Sequence, residues 1–454
     1  MKDLAYDTKD KICALATPWG MSALAVIRCT GEGCVEALAD FFHPAPRLRQ
    51  AAGGTALVGW LHSEQGEKLD QVVATVWRAP HSYTGQDSVE LTCHGSMTVV
   101  RRVLDELTRT AFRPAGPGEF TLRAFLAGKV DLTRAEAVHE LVASKTDAAR
   151  SQALHRLGGS VETRIRQLRT KLMDVMAAVN IQLDYAEDEA DTPEPPYPLL
   201  HDLLGDLESL ALSFKTGRVY QEGLKIVLAG RTNAGKSSLF NAFLKEDRSI
   251  VSDEHGTTRD FIEAWADFDG IPARLFDTAG LREAENRVEQ EGIRRSQDLL
   301  ASSDLSFYLV DGTLGLTPED EKLLKESTPS NLPRALLWTK IDLPGALPPP
   351  PGWLGLSAVT GQGLSVLTTW VQEQALPEKS APDAVVIDSL RQKQLLDRAI
   401  SALKAVLIGL EAGFPVDMVA LDVQDALQAL GEIVGEVTNA DILNHMFGNF
   451  CVGK

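Results

Sequence analysis

The stretch that most restricts the fold is Gly230-Arg231-Thr232-Asn233-Ala234-Gly235-Lys236-Ser237. It sits between an apolar run, Leu224 to Ala229, and a helix-like segment that starts near Ser238. A strand, a glycine loop and a helix in this order let backbone N–H groups and a helix N-terminus surround a phosphate. Lys236 can then neutralise charge, and the Ser237 hydroxyl can ligate magnesium. Asn233, Ala234, Gly235, Lys236, Ser237 and Ser238 are the candidate contacts of this loop.

Further stretches follow in the order of a GTPase. Gly256-Thr257-Thr258-Arg259-Asp260, preceded by Ser252-Asp253-Glu254-His255, offers Thr258 as a switch threonine for magnesium. Asp277-Thr278-Ala279-Gly280 follows the strand-like Ala273 to Phe276. There Asp277 can hold a metal-bound water, and the Gly280 N–H can sense a terminal phosphate. After the apolar runs Leu305 to Val310 and Arg334 to Trp338 comes Thr339-Lys340-Ile341-Asp342. The Asp342 carboxylate can accept both guanine N–H donors, which adenine does not present. Ser357-Ala358 closes the base pocket. One such stretch reads as a surface turn, whereas five in order read as a guanine-nucleotide site.

A chain of 454 residues is too long for one core, so two or three domains are expected. With 44% hydrophobic and 24% charged residues it has globular composition. No run reaches membrane-spanning length and the N-terminus lacks a signal-like apolar region, so a cytoplasmic location is expected. Five cysteines, Cys13, Cys29, Cys34, Cys93 and Cys451, show no metal-ligand spacing and fit reduced thiols. A net charge of −18 argues against nucleic-acid binding by the bulk field. Arg150, Arg156, Arg164, Arg166, Arg169 and Lys171 form a local basic cluster. It reads either as an RNA contact or as a solvated helix face.

Up to about Pro117 short apolar runs alternate with turns. Ile12 to Ala16, Ala23 to Arg28, Thr55 to Trp60, Gln71 to Trp77 and Val89 to Cys93 read as strands, and Glu36 to Phe42 and Met97 to Thr108 as helices. Helical periodicity follows to about Gly217, as in Val161, Ile165, Leu168, Leu172 and Val175. An acidic, proline-bearing connection from Asp184 to Pro198 interrupts it. The pattern resumes after Lys379 with Leu390, Leu396, Ile400, Leu403 and Leu407. The expected fold class is therefore multidomain, with an α+β N-terminal domain (1–118) and a helical domain in two parts (119–221 and 378–454). A Ras-like α/β P-loop domain (222–377), with a Pro-rich insert from Leu343 to Pro351, is inserted between those parts.

Over nearly its full length the chain resembles the MnmE (TrmE) family of tRNA modification GTPases. The resemblance rests on Asp7-Thr8, Ala16-Thr17-Pro18, Tyr83 to Asp87, Pro117 to Thr121, Arg123 to Leu126, Asp131 to Ala137, the nucleotide stretches above, Leu430 to Ile433 and Cys451 to Lys454. A generic GTPase would match only the middle of this set. The resemblance implies a homodimer formed through N-terminal domains that bind 5-formyltetrahydrofolate or a related folate through Arg28, Glu90, Lys129 and Lys454. It also implies a flavin-dependent partner of the MnmG/GidA type, in a heterotetramer or larger. With that partner a carboxymethylaminomethyl or aminomethyl group is installed at C5 of the wobble uridine of certain tRNAs. Leu281 stands where many small GTPases carry a water-orienting glutamine. The resemblance supplies Glu289 for that role and a potassium ion held by Asn233 and by the carbonyls of Ser252, Glu254 and Thr257. Cys451 reads either as a buried, unreactive thiol or, on the resemblance, as a catalytic group beside the folate. The chain departs from the family at Trp19 to Ala23, at Gly116 and at Thr339, so base recognition rests on Lys340 and Asp342. A regulatory or ribosome-assembly GTPase on the same scaffold is the alternative.

Overall fold

The computed structural model describes residues 7–184, 196–245, 249–250, 262–277, 302–326, 332–376, 385–436 and 439–453. The chain divides into two units. One comprises Met1–His139, Ile165–Thr170 and Gln424–Lys454, and the other Glu140–Arg164 and Lys171–Val423.

In the first unit a seven-stranded sheet has the order β3-β4-β5-β6-β2-β1-β7. Its strands are β1 (Ile12–Leu15), β2 (Leu24–Thr30), β3 (Phe42–His43), β4 (Thr55–His62), β5 (Lys68–Trp77), β6 (Ser88–His94) and β7 (Arg113–Pro114). Every pairing is antiparallel except β1 with β7. The alternation of the sequence becomes two faces. In β5, Val72, Ala74 and Val76 are buried while Val73 and Trp77 are exposed. The buried face packs with Val35 and Leu38 of helix Cys34–Ala39 and with Val100, Val103 and Leu107 of helix Met97–Thr110. All four residues of β1 are buried because both of its faces are covered: Cys13 and Leu15 join that core, and Ile12 and Ala14 pack with Phe120. The helix expected from Glu36 to Phe42 stops at Ala39, since Phe42 and His43 pair with Leu61 and Trp60 in the sheet.

The second unit holds a sheet of order β14-β13-β12-β8-β11-β10-β9. Five strands are parallel: β8 (Leu224–Gly230), β11 (Ile271–Asp277), β12 (Leu305–Asp311), β13 (Arg334–Thr339) and β14 (Leu354–Gly355). β9 (Ser249–Ile250) and β10 (Ile262–Phe268) extend one edge antiparallel. The apolar run Leu305 to Val310 is buried throughout, as both faces require. Phe307 and Leu309 enter the main core, while Tyr308 and Val310 pack with Trp338 on the other side. In the same unit helix Tyr197–Leu212 packs along helix Leu390–Glu411, and each presents its leucine stripe as buried residues. Among the described residues no helix is long and apolar enough to cross a membrane.

Candidate functional site

The phosphate-type loop leaves the C-terminal end of the central strand β8, where ligands of open parallel sheets bind. Its turn uses the left-handed region three times, at Gly230 (φ 138), Asn233 (φ 64) and Gly235 (φ 91). A Cβ at Gly230 would come within 2.4 Å of the Leu309 carbonyl, so only glycine fits there. Lys236 is 5% exposed, and its ammonium donates to the carbonyls of Gly230 (2.9 Å) and Arg231 (2.7 Å). Ser237 and Ser238 follow, exposed, in the first turn of helix Lys236–Lys245. Ala234 is buried.

Two neighbouring strand ends meet this loop. Thr339 is buried at the end of β13, and its hydroxyl lies 2.8 Å from the Ala234 carbonyl and 3.0 Å from that of Val310. Lys340 (φ 59) reaches across to Asp311, at the end of β12, at 2.6 Å. Burial alone would raise the Asp311 carboxyl, but hydrogen bonds from Lys340 and Thr313 outweigh it and hold the group below the usual range. The sequence reading missed Asp311; an acid closing the apolar run of β12 was the available signal. Asp342 is exposed in the turn after Lys340. Ser357 is fully buried and accepts from the N–H groups of Val359 and Thr360, and Ala358 is half-buried beside it. Asp277 ends β11. Ser252, Asp253, Glu254, His255, Gly256, Thr257, Thr258, Thr278, Ala279, Gly280 and Glu289 lie outside the described residues.

In the first unit, antiparallel pairing of β2 with β6 sets Arg28 opposite Glu90. Arg28 Nε and Nη2 both stand 2.9 Å from Glu90 Oε1. They line a pocket of about 320 Å³ together with Trp77, His81, Ser82, Tyr83, Thr84 and Ser88. Helix Glu119–Leu126 backs this pocket. Phe120 lies under Arg28, the Thr121 hydroxyl is 2.9 Å from the Tyr83 hydroxyl, and Arg123 donates to the Gln86 amide oxygen at 3.2 Å. The helix is anchored in turn by a balanced quartet of charges. Arg113 and Arg123 both donate to Glu119 Oε1, at 2.7 and 2.8 Å, and both pair with Asp10. Glu119 and Arg123 are almost wholly buried. Burial would raise the Asp10 carboxyl, but the two arginines hold it below the usual range. Lys129 is exposed, and its stem lies 3.6 Å from the Cβ that Gly85 lacks, beside the pocket loop. Lys454 lies outside the described residues.

Family models for the TrmE N-terminus and for the MnmE helical domain match residues 11–129 and 132–451. Curated relatives named tRNA modification GTPase MnmE align end to end. The one from Borrelia recurrentis is 41% identical over 99% of each chain. The one from Carboxydothermus hydrogenoformans is 36% identical over 98% of this chain and 100% of its own. The chain belongs to the MnmE family.

Two further groups of residues had two readings each, and the structure departs from one or both at Cys451 and at Arg156. Cys451, the thiol that the MnmE resemblance set beside the folate, is exposed, whereas a buried thiol was one of its two readings. The other four cysteines are buried, and burial pushes Cys13 and Cys93 up to about 12. The basic cluster is charge-compensated. Arg150 pairs with Asp147, Arg164 and Lys171 with Asp206, and Arg166 and Arg169 with Glu436. Arg156 is buried between Glu140 and Asp388, a structural ion-pair hub that cannot face RNA.

Proposed function

We propose that this chain hydrolyses GTP in the service of tRNA modification. With a flavin-dependent partner it adds an aminomethyl-type group at C5 of the wobble uridine, drawing one carbon from a folate held in the pocket around Glu90. The observation that carries this reading is end-to-end alignment with relatives named tRNA modification GTPase MnmE, in a chain that has both a phosphate loop and a separate half-closed pocket. In this reading the module of residues 222–377 is inserted in the helical domain, and the N-terminal domain pairs two copies.

The loop geometry suits a nucleotide phosphate. Lys236 is held inside the curve of its own loop, so its charge is in place before a phosphate arrives, and little reorganisation is needed on binding. Ser237 and Thr258 would hold magnesium, which supplies charge neutralisation on the phosphate oxygens. Asp342 accepts the guanine N–H donors, and Thr339 fixes the loop through Ala234. Glu289 orients the attacking water. Asn233, with the carbonyls of Ser252, Glu254 and Thr257, would hold potassium when two nucleotide modules meet.

The deciding experiment is mass spectrometry of wobble nucleosides in tRNA from a strain deleted for this chain and complemented with it. Unchanged nucleosides on deletion, with GTP hydrolysis intact, favour the regulatory GTPase instead. For the hydrolytic step, faster turnover in potassium than in sodium at equal ionic strength is expected, with Asn233→Ala removing the difference. Equal rates in the two salts for the unmutated chain would defeat the potassium assignment.

A further inference from the structure

All three guanidinium nitrogens of Arg28 are engaged within the protein. Nε and Nη2 converge on Glu90 Oε1, and Nη1 donates to the carbonyl of Gly453 at 3.3 Å. The guanidinium is also flanked by the rings of Tyr83 (5.5 Å) and Phe120 (5.6 Å). Its bidentate edge is therefore closed to a carboxylate from solution. Glu90 Oε2, by contrast, takes no hydrogen bond among the described residues.

Among the described residues the C-terminal tail has few other attachments. The Gly118 N–H donates to the Cys451 carbonyl at 3.3 Å, and Pro117 bridges Val452. Gly453 (φ 95) sits in a slot where a Cβ would come within 2.5 Å of the Leu15 carbonyl. We propose that Arg28 is a positioning residue: it clamps the tail, with Cys451, against the pocket and presents the second oxygen of Glu90 to an occupant bearing N–H donors. The occupant half of this proposal rests on the folate reading given above; the tail half does not.

The test uses the full chain. Carboxypeptidase Y release of the terminal residues is followed by intact mass, and iodoacetamide labelling of Cys451 by peptide mass. Cys451 is the one exposed thiol of the five. Arg28→Met is expected to raise both rates about fivefold, the effect of losing one charge-assisted hydrogen bond. Arg28→Lys, whose single ammonium lacks the fork, falls between. Gly453→Ala, which forces the tail out of its slot, reproduces the effect, and adding Arg28→Met to it changes little further. Rates in both Arg28 variants equal to those of the unmutated chain would overturn the clamp. If Arg28→Met does not fold, Arg28→Lys decides. Calorimetry with 5-formyltetrahydrofolate separates the two readings: faster release without folate binding by the unmutated chain retains the clamp and removes the folate. Folate binding with an unaltered tail in the variants does the reverse.

Discussion

The nucleotide loop and the N-terminal pocket are built in opposite ways. In the loop the lysine contacts carbonyls five and six positions earlier, and the backbone shape is set by glycines. In and behind the pocket the long-range contacts join distant segments: 62 positions separate Arg28 from Glu90, 113 separate Arg123 from Asp10, and 425 separate Arg28 from Gly453. The turn of the loop is therefore set largely by its own residues, with Thr339 of β13 as the tie from a distant segment. The pocket's walls come from β2, β5, β6 and the loop joining β5 to β6, so it exists only when the sheet has assembled. The electrostatics differ in the same sense. Lys236 donates to backbone carbonyls of its own loop, whereas Asp10, Arg113, Glu119 and Arg123 cancel one another and serve the fold.

The sharpest way to break this comparison is Arg123→Met. It leaves Glu119 buried with half of its counter-charge, so a loss of about 3–5 kcal/mol in urea unfolding is expected, together with loss of the pocket. A change under about 1 kcal/mol would mean that the quartet does not hold the platform. Lys236→Ala should act the other way, lowering GTP hydrolysis at least about a hundredfold while the unfolding transition stays near that of the unmutated chain. A large stability loss instead would show that the lysine is as structural as the quartet.

Thr339→Val should have a smaller effect, since it removes the hydroxyl joining β13 to the Ala234 carbonyl and costs about 1–2 kcal/mol. GDP affinity measured by calorimetry should fall roughly tenfold, with Thr339→Ser close to the unmutated chain. The smallest effect expected is on pH dependence. Because the folded state lowers the Asp311 carboxyl below its unfolded value of about 3.9, its contribution is complete above that value and is lost as pH falls through the folded one. Thermal unfolding between pH 6 and 3 should have a shallower acid limb in Asp311→Asn; an unchanged limb would assign acid sensitivity to other carboxylates, of which Asp10 is the counterpart in the pocket unit.

Contiguous features were legible in the sequence. The loop from Gly230 to Ser237, the runs that became β8, β12 and β13, and the alternation that became β4, β5 and β6 could all be read directly, because glycine conformations and side-chain periodicity are properties of neighbouring residues. Only the tertiary structure decided the partners. That Arg28 faces Glu90 depends on the register of β2 against β6, which alternation leaves open by steps of two residues. That Arg156 is a buried hub while Arg150, nearby on the same helix, is a surface pair depends on what Glu140 and Asp388 bring from elsewhere. A sequence determines which backbone shapes each segment prefers. Which charge cancels which is settled only when segments far apart in the chain are brought within hydrogen-bonding distance.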